Sequence, residues 1–291
     1  MFVFKAAVVG AGTMGGEIAQ VVASAGIPVV LKDVKQEFVD TGLTKARDVT
    51  QGQLGGLVAK EKITQEDADR QLEEIVGRIE GTLDYDAFGD VDFVIEAVPE
   101  RMEIKQAVFA ELDSVTPGHA ILASNTSSLS ITEMGEATIR PDKVCGFHFF
   151  YPASMMRLIE VIEGEESSEE TIQVAANFAQ QIRKMAIRCG EVPGFVVNRI
   201  LMSGAAEIWR AQQESGKTPQ EVDQKIQESK ALPMGPFFLA DMTGLDTSLH
   251  VARNMVDSYG ERFYIHPGMK DLVDDGNYGQ KTGKGFYEHG S

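Results

Sequence analysis

The sequence Gly10-Ala11-Gly12-Thr13-Met14-Gly15 stands between two stretches of different hydrophobic periodicity. Residues 4–9 before it are mostly apolar, which predicts a buried strand. Residues 15–25 after it carry apolar side chains at helical spacing. A second apolar run at 29–31 completes a βαβ unit, which requires a parallel sheet covered by helices.

The glycine spacing G-x-G-x-x-G predicts a dinucleotide site. Gly10 permits the tight turn, Gly12 lets the backbone approach a diphosphate, and Gly15 lets the helix pack closely on the strand. The diphosphate then meets N–H groups at the helix start. Asp33 ends the second strand, 23 positions after Gly10, where a carboxylate binds ribose hydroxyls and repels a 2′-phosphate. The sequence therefore favours NAD over NADP.

Two lysines beside Asp33 bear on the same choice. A cation at Lys32 or Lys35 could pair with a 2′-phosphate, which keeps NADP open as an alternative. We favour the other interpretation, in which both are solvated loop lysines.

The composition is that of an acidic globular protein. Of 291 residues, 43% are hydrophobic, and 27 basic against 44 acidic residues give a net charge of −17. This charge disfavours nucleic acid as a partner. Without a leader-like segment or a run of bilayer length, we expect a soluble cytoplasmic protein that does not bind membranes. Cys145 and Cys189 are expected as buried thiols in a reducing compartment, and no metal site is expected.

The rest of the first domain is predicted to be a doubly wound sheet interrupted by a helical arm. The arm spans about 36–79, with Thr64 and Asp67 spaced as a capping box. Further strand patterns occur at 93–97, 120–124, 144–149, 158–162 and 185–189. These elements predict a Rossmann-type α/β domain over residues 1–190.

An all-α second domain is predicted for residues 191–291. Pro193-Gly194 breaks the chain, and helical patterns follow at 195–215, 236–243 and 246–259. Another helix begins at Thr218-Pro219, an N-cap followed by a proline at the first helical position. The first of these helices is apolar enough to form a homodimer surface, but a buried helix has the same pattern.

Two polar stretches near the ends of predicted strands are candidates for chemistry. They are S-N-T-S-S at 124–128 and F-H-F-F at 147–150, with Glu160 on the next strand. Each also has a structural interpretation, because the first could be a hydroxyl-capped turn and His148 a hydrogen-bonded core histidine. The position of His148 beside a dinucleotide site favours a catalytic role.

The sequence resembles the 3-hydroxyacyl-CoA dehydrogenases over nearly its whole length. The resemblance is carried by G-A-G-T-M-G at 10–15, V-I-E-A-V-P-E at 94–100, S-N-T-S-S-L at 124–129, H-F-F at 148–150, L-I-E-V-I-E-G at 158–164, P-G-F-V-V-N-R at 193–199, M-G-P-F at 234–237 and G-Q-K-T-G-K-G-F-Y at 279–287. So many blocks in order are jointly specific, although each alone is weak.

The resemblance implies a set of residue roles. His148 would be the general base, Glu160 would orient it, and Ser127 and Asn198 would hydrogen-bond an acyl-CoA substrate, with Asn198 acting across an interdomain cleft. These residue types suit the chemistry, because an imidazole can take the C3 hydroxyl proton and a carboxylate can fix its tautomer.

The resemblance also implies contacts on the nicotinamide side of the cofactor. The matching positions are Glu100, Lys105, Ser127 and Lys281. From the sequence alone, the three charged residues of this set would pass for solvated surface charges.

Two parts of the family pattern do not carry over. The family usually has asparagine after H-F-F, whereas this chain has Tyr151 before Pro152. The coenzyme A contacts cannot be assigned, because the arm aligns poorly. Its available cations, which could equally be solvated, are Lys45, Arg47, Lys60 and Lys62.

Two other functions remain as alternatives. Dehydrogenases of small β-hydroxyacids share this domain pairing, but they carry a lysine four residues after the asparagine, where this chain has Met202. Lens crystallins related to the family are structural proteins. Retention of all four candidate active-site residues argues against a purely structural role.

Overall fold

An eight-stranded sheet forms the centre of the first of two units into which the chain divides, Met1–Glu191 and Val192–Ser291. The structure, a computed structural model, describes residues 2–290. The strands are β1 (Ala6–Val9), β2 (Val29–Lys32), β3 (Ile79–Thr82), β4 (Phe93–Glu96), β5 (Ile121–Ser124), β6 (Val144–Phe149), β7 (Leu158–Glu163) and β8 (Met185–Gly190). Their order is β3-β2-β1-β4-β5-β6-β7-β8.

All neighbouring strands run parallel except β6 and β7. Every residue of β1, β2, β4 and β5 is buried, as expected when helices cover both faces of a parallel sheet. The helices of this unit are α1 (Thr13–Ser24), α2 (Gln36–Val58), α3 (Gln65–Val76), α4 (Met102–Val115), α5 (Ile131–Gly135) and α6 (Glu169–Gln181). The predicted Rossmann-type sheet with a helical arm is confirmed.

Aromatic side chains hold α6 against the centre of the sheet. The ring of Phe178 lies 4.5 Å from that of Phe93 and 5.7 Å from that of Phe147, measured between centroids. All three side chains are fully buried. Burial of one such ring contributes about 1.5–3 kcal/mol to the free energy of unfolding. Because Phe178 contacts a ring on β4 and a ring on β6, the cluster packs α6 against both strands.

The helical prediction for 36–79 was wrong at its end, where β3 forms. Its sequence I-E-G-T buries only Ile79, because the strand lies at the edge of the sheet. Gly81 is required there, since a Cβ would lie 2.6 Å from a methyl carbon of Val39 on α2. The capping interaction of Thr64 with Asp67 is present at the start of α3. Strand β3 was not predicted, because one buried residue in four gives too weak an alternation of apolar and polar side chains.

The second unit is helical. Its helices are α7 (Val197–Ser215), α8 (Pro219–Ser229), α9 (Pro236–Thr243), α10 (Leu245–Tyr259) and α11 (Pro267–Asp274). Trp209 on α7 packs in a core with Phe237, Leu249 and Met269 from the later helices. Helix α8 begins at the predicted N-cap Thr218 and proline Pro219, and Thr218 forms a capping box with Glu221. The short helix α11 was not predicted, because only one of its eight residues is buried.

Buried carboxylates anchor the last residues of the second unit to its helices. Asp241 of α9 accepts hydrogen bonds from the backbone N–H groups of Phe286 and Tyr287 at 2.9 Å each. Asp223 of α8 accepts one from the Tyr287 hydroxyl, also at 2.9 Å. A Cβ at Gly285 would overlap the Asp241 carboxylate, so glycine is required there. This anchoring explains the glycines and aromatic residues of the 279–287 block.

No helix within residues 2–290 is both long and apolar enough to cross a membrane.

Candidate active site

The glycine turn after β1 has the close packing that its spacing predicts. Gly10 has φ +101°, and a Cβ there would lie 2.5 Å from the carbonyl oxygen of Ala97. A Cβ at Gly15 would overlap the carbonyl oxygen of Gly10. Only glycine fits at both positions. Gly10 adopts a positive φ, and at Gly15 the helix backbone directly contacts the turn.

The start of α1 has room for an anion. A Cβ at Gly12 would meet no atom within 4 Å, and no side chain caps the helix. The first N–H groups of a helix have no intrahelical acceptor, and the helix dipole adds positive potential at this end. Open space over Gly12 and an uncapped twelve-residue helix fit a dinucleotide diphosphate.

Asp33 lies against the glycine turn rather than in solvent. Its Oδ2 atom accepts a hydrogen bond of 2.7 Å from the backbone N–H of Ala11, and Oδ1 accepts one of 2.6 Å from Val34. These bonds hold the carboxylate beside the predicted diphosphate position. That is where the ribose of an adenosine half would lie in a Rossmann-type site.

The expectation that both neighbouring lysines are solvated was wrong for Lys32. Lys32 is only 6% exposed, and its Nζ lies 4.3 Å from the centre of the Tyr85 ring. Burial raises the pKa of the Tyr85 hydroxyl, and a hydrogen bond to Glu111 raises it further. Lys35 is exposed and pairs with Glu37 at 3.3 Å. Lys32 is shielded from the solvent because it is the last residue of β2 and packs on the ring of Tyr85.

His148 and Glu160 form a buried pair across the β6–β7 ladder. Nδ1 of His148 lies 2.8 Å from Oε2 of Glu160, and the two residues are 6% and 0% exposed. The ring of Phe150 lies 4.6 Å from the imidazole, between centroids. A proton on Nδ1 donated to the carboxylate leaves the lone pair on Nε2, the nitrogen that can accept a proton from a substrate.

Ser127 lies in a loop that is tied to both neighbouring strands. Asn125 accepts a hydrogen bond of 2.8 Å from the backbone N–H of Phe149 through its Oδ1 atom. Its own N–H donates to the carbonyl of Glu96 at 2.8 Å. The S-N-T-S-S run therefore begins at the carboxyl end of β5 and is hydrogen-bonded to the carboxyl ends of β4 and β6. Asn125 is a positioning residue that sequence reasoning did not single out.

Glu100 fixes the hydroxyl groups of this loop. Its Oε1 atom accepts hydrogen bonds from the Thr126 hydroxyl at 2.6 Å and from the backbone N–H of Ser127 at 2.9 Å. The Ser127 hydroxyl lies 3.3 Å from the same oxygen. Burial raises the pKa of the Glu100 carboxyl, but the charge of Lys105 and these hydrogen bonds outweigh it, so the pKa lies below its usual value.

Lys105 is not the solvated charge that its sequence context suggested. Its side chain is 1% exposed, and Nζ lies 2.7 Å from Oε1 of Glu96 and 3.2 Å from Oε2 of Glu100. Glu96 is fully buried and also accepts hydrogen bonds from the Ser124 hydroxyl and the backbone N–H of Val98. Sequence reasoning missed Glu96, although a carboxylate inside the apolar run 93–98 is a visible signal.

Asn198 and Lys281 belong to the second unit. Asn198 lies in the first turn of α7 and is half-buried. Nζ of Lys281 lies 2.8 Å from Oδ1 of Asp246 and 3.2 Å from the hydroxyl of Thr247, and the pair is partly exposed. The functional roles of both residues stay predictions from the resemblance.

The cations of the arm and Tyr151 are mostly on the surface. Lys45 pairs with the buried carboxylate of Glu17 at 3.2 Å, and that hydrogen bond raises the pKa of the lysine. Arg47 pairs with Glu73 at 2.8 Å. Tyr151 is 56% exposed. Lys60 and Lys62 are exposed.

Both cysteines are buried, as expected. Burial raises the pKa of the Cys145 thiol to about 12. Within residues 2–290, no three His, Cys, Asp or Glu side chains are arranged to hold a metal ion.

Two family descriptions match this chain. Residues 5–192 match the NAD-binding domain of 3-hydroxyacyl-CoA dehydrogenase, and residues 194–289 match its C-terminal domain. The chain is 40% identical to a probable 3-hydroxybutyryl-CoA dehydrogenase of Deinococcus radiodurans, covering 98% of this chain and 100% of that one. Together the two domains account for nearly every described residue.

A longer relative and a solved structure are also similar to this chain over nearly its whole length. The chain is 41% identical to the fatty acid oxidation complex subunit alpha of a Psychrobacter species over 98% of its own length, and it spans 38% of that subunit. The crystal structure of (S)-3-hydroxybutyryl-CoA dehydrogenase from Ralstonia eutropha matches with a TM-score of 0.90 and 34% identity, covering 100% of both chains.

Proposed function

This chain belongs to the 3-hydroxyacyl-CoA dehydrogenase family, and we propose that it transfers a hydride between NAD and the C3 position of a 3-hydroxyacyl-CoA or 3-ketoacyl-CoA. The observation that carries this proposal is the buried His148–Glu160 pair, which lies on the same sheet edge as the glycine turn. A base at the carboxyl edge of a dinucleotide-binding sheet suits abstraction of a hydroxyl proton.

The chain's own residues would perform the proton transfer. Nε2 of His148 takes the proton of the C3 hydroxyl, and the C–H bonding pair leaves C3 as hydride while the C–O bond becomes a carbonyl. Glu160 stabilises the imidazolium that forms, because its carboxylate accepts a hydrogen bond from the N–H at Nδ1. When bound, NAD supplies the acceptor for the hydride. In the reverse direction His148 returns the proton.

We assign the remaining predicted residues to binding. Ser127, held by Glu100, would hydrogen-bond the substrate oxygen or the nicotinamide ribose, and Asn198 would hydrogen-bond the substrate. Gly12, Thr13 and Met14 at the start of α1 would hold the diphosphate. Asp33 would select NAD over NADP, and the burial of Lys32 supports this choice because it removes one cation that could pair with a 2′-phosphate.

Glu100, Lys105 and Lys281 complete the proposed cofactor site, with Lys105 acting through the carboxylates that it pairs. We also propose a cytoplasmic homodimer. Support for the dimer comes from Ile200 and Leu201, which α7 leaves 65% and 50% exposed.

Steady-state assays with acetoacetyl-CoA and longer 3-ketoacyl-CoA thioesters, with NADH and NADPH in parallel, test the proposal. We expect turnover with NADH and little with NADPH. Turnover of free acetoacetate but of no thioester would instead identify a dehydrogenase of small hydroxyacids. A protein that binds NADH and turns over neither would fit the structural role seen in the related crystallins.

A further inference from the structure

The Glu96–Lys105–Glu100 cluster contains two carboxylates and one ammonium group. Oε1 of Glu96 accepts from Lys105 Nζ at 2.7 Å and from the Val98 N–H at 2.7 Å, and Oε2 accepts from the Ser124 hydroxyl at 2.6 Å. A carboxyl group that only accepts, at both oxygens, has the pattern of an ionised carboxylate. The second oxygen of Glu100 faces the same ammonium at 3.2 Å.

One negative charge of this cluster is not neutralised within the described part of the chain. Lys105 is the only cation there that pairs with either carboxylate. The nearby Arg101 is 68% exposed and pairs with Glu103 at 3.8 Å. Glu96 and Lys105 are 0% and 1% exposed and the Glu100 side chain is 33% exposed, so solvent ions reach the cluster only at Glu100.

The cluster lies under the second half of the proposed dinucleotide site. The strand order reverses between β1 and β4, and a dinucleotide crosses a Rossmann-type sheet at that point. Asp33 follows directly after β2 and marks the side of the adenosine half. Glu96 and Ser124 end β4 and β5 on the other side, and Glu96 is the register partner of Val9, which precedes the glycine turn. In a site of this type the nicotinamide half would face the cluster.

We propose that the excess negative charge of the Glu96–Lys105–Glu100 cluster raises the affinity of the site for NAD⁺ relative to NADH. The inference rests on the proposed function. The oxidised nicotinamide ring carries a positive charge and the reduced ring carries none, so the cluster attracts only the oxidised form. At an effective dielectric constant of about 20, one unit charge roughly 10 Å from another changes an affinity by roughly tenfold.

The test compares the dissociation constants of NAD⁺ and NADH, measured by calorimetry, for the wild type and Glu96→Gln. Glutamine keeps the side-chain length and an acceptor oxygen, but it leaves Lys105 and Glu100 to neutralise each other. We expect NAD⁺ affinity to fall by about tenfold relative to NADH affinity. Glu96→Asp keeps the charge, so we expect it to keep the wild-type ratio of the two dissociation constants. The matched control is Glu103→Gln on the same helix, which removes a charge that is 79% exposed and should leave the ratio unchanged.

A purely structural role of Glu96 would weaken both forms equally, since both share the loop that holds Ser127. If Glu96→Gln does not fold, Glu100→Gln removes the same excess charge. It should likewise lower the affinity for NAD⁺ relative to the affinity for NADH. Binding of both forms with an unchanged ratio in the folded variant overturns the inference. A wild type that binds neither form would overturn the proposed function itself, and the inference with it.

Discussion

Nδ1 of His148 and Oε2 of Glu160 lie 2.8 Å apart because the two residues are direct partners in the antiparallel β6–β7 ladder. Every other strand pair in the sheet is parallel. The antiparallel turn of the chain thus places a carboxylate opposite an imidazole 12 residues away. Backbone hydrogen bonds on both sides fix the pair more firmly than a loop would.

Replacement of either member of this pair should lower turnover without loss of cofactor binding. We expect His148→Gln to reduce kcat by roughly 10²–10⁴-fold, the usual contribution of a general base. Glu160→Gln should also reduce kcat, because an amide cannot stabilise the imidazolium as a carboxylate does. Steady-state kinetics with acetoacetyl-CoA, and NADH binding by fluorescence, measure the two effects.

The double variant tests whether the residues act together. If they form one unit, the loss in His148→Gln/Glu160→Gln should be close to that of His148→Gln alone. A loss equal to the product of the single losses would show independent action and contradict the coupling.

Asp33→Ser should narrow the preference for NADH over NADPH. The change removes a repulsive charge and a charged hydrogen-bond acceptor, which contributes about 1.5–3 kcal/mol. Glu37→Gln is the control, since it removes a neighbouring charge that is exposed and pairs with Lys35. The measurement is the ratio of kcat/KM for the two cofactors. Comparable use of NADPH and NADH by the wild type would contradict the role of Asp33.

Lys105→Met should destabilise the first unit by about 3–5 kcal/mol, because it leaves the fully buried Glu96 carboxylate without its cation and also removes the cation that faces the partly exposed Glu100. The matched control is Lys35→Met, which breaks an exposed pair and should cost less than about 1 kcal/mol. Urea unfolding followed by circular dichroism gives both values. Equal losses would mean that the buried pairing does not contribute to stability.

How far the sequence predicts this molecule depends on whether a feature is local. The glycine turn and the Thr218 N-cap follow from residues close in sequence, and both are present. The burial of Lys105 depends on Glu96, nine positions earlier on another element, and on a sheet that covers both. Its helix, α4, carries charged residues on several faces, so periodicity could not separate this lysine from the solvated ones.

The same reasoning explains Lys32 and Glu160. Lys32 is buried because Tyr85, 53 positions later in the chain, covers it, and single-sequence patterns carry no signal for such a contact. Glu160 interrupts an apolar strand, which marks it as unusual, but only the β6–β7 register identifies His148 as its partner. Interactions within one element were predictable, and interactions between elements needed the family resemblance or the structure.

His266 should make the second unit less stable as the pH falls. Its Nδ1 accepts a hydrogen bond from the Met269 N–H at 3.2 Å, and Nε2 lies 2.7 Å from the amide oxygen of Gln212, an arrangement that fits the neutral ring. Burial lowers the pKa of His266 below its usual value of 6.5, more than Asp271 raises it. A lowered histidine pKa means that the unfolded chain binds the proton more readily, so stability is full above about pH 6.5 and declines below it.

We therefore expect the wild type to lose more stability between pH 7.5 and pH 5.5 than His266→Asn does. Asparagine keeps an N-cap acceptor for α11 but cannot be protonated in this range. Urea unfolding at several pH values gives the comparison, and the difference between the two proteins removes the contribution of the other histidines. A difference that does not change with pH would rule out titration of His266 as the cause.

Tyr151 is the position where this chain leaves the family pattern, and its replacement should have a small effect. Its side chain is 56% exposed, so truncation removes little buried surface. Phe149 and His148 before it are fixed in β6, and the Phe149 N–H is held by Asn125, so the backbone course does not depend on the tyrosine ring.

Asparagine offers a donor and an acceptor on a short stem, whereas tyrosine places one hydroxyl several ångströms farther out behind an apolar ring. We expect Tyr151→Asn to fold, to remain active and to change NAD affinity by no more than about tenfold, or about 1.4 kcal/mol. Tyr151→Phe is the matched control, because it keeps the ring and removes only the hydroxyl. Calorimetric NAD binding and turnover of acetoacetyl-CoA measure both variants. If Tyr151→Asn binds NAD normally but has lost turnover, Tyr151 takes part in the chemistry, and it joins His148 among the catalytic residues.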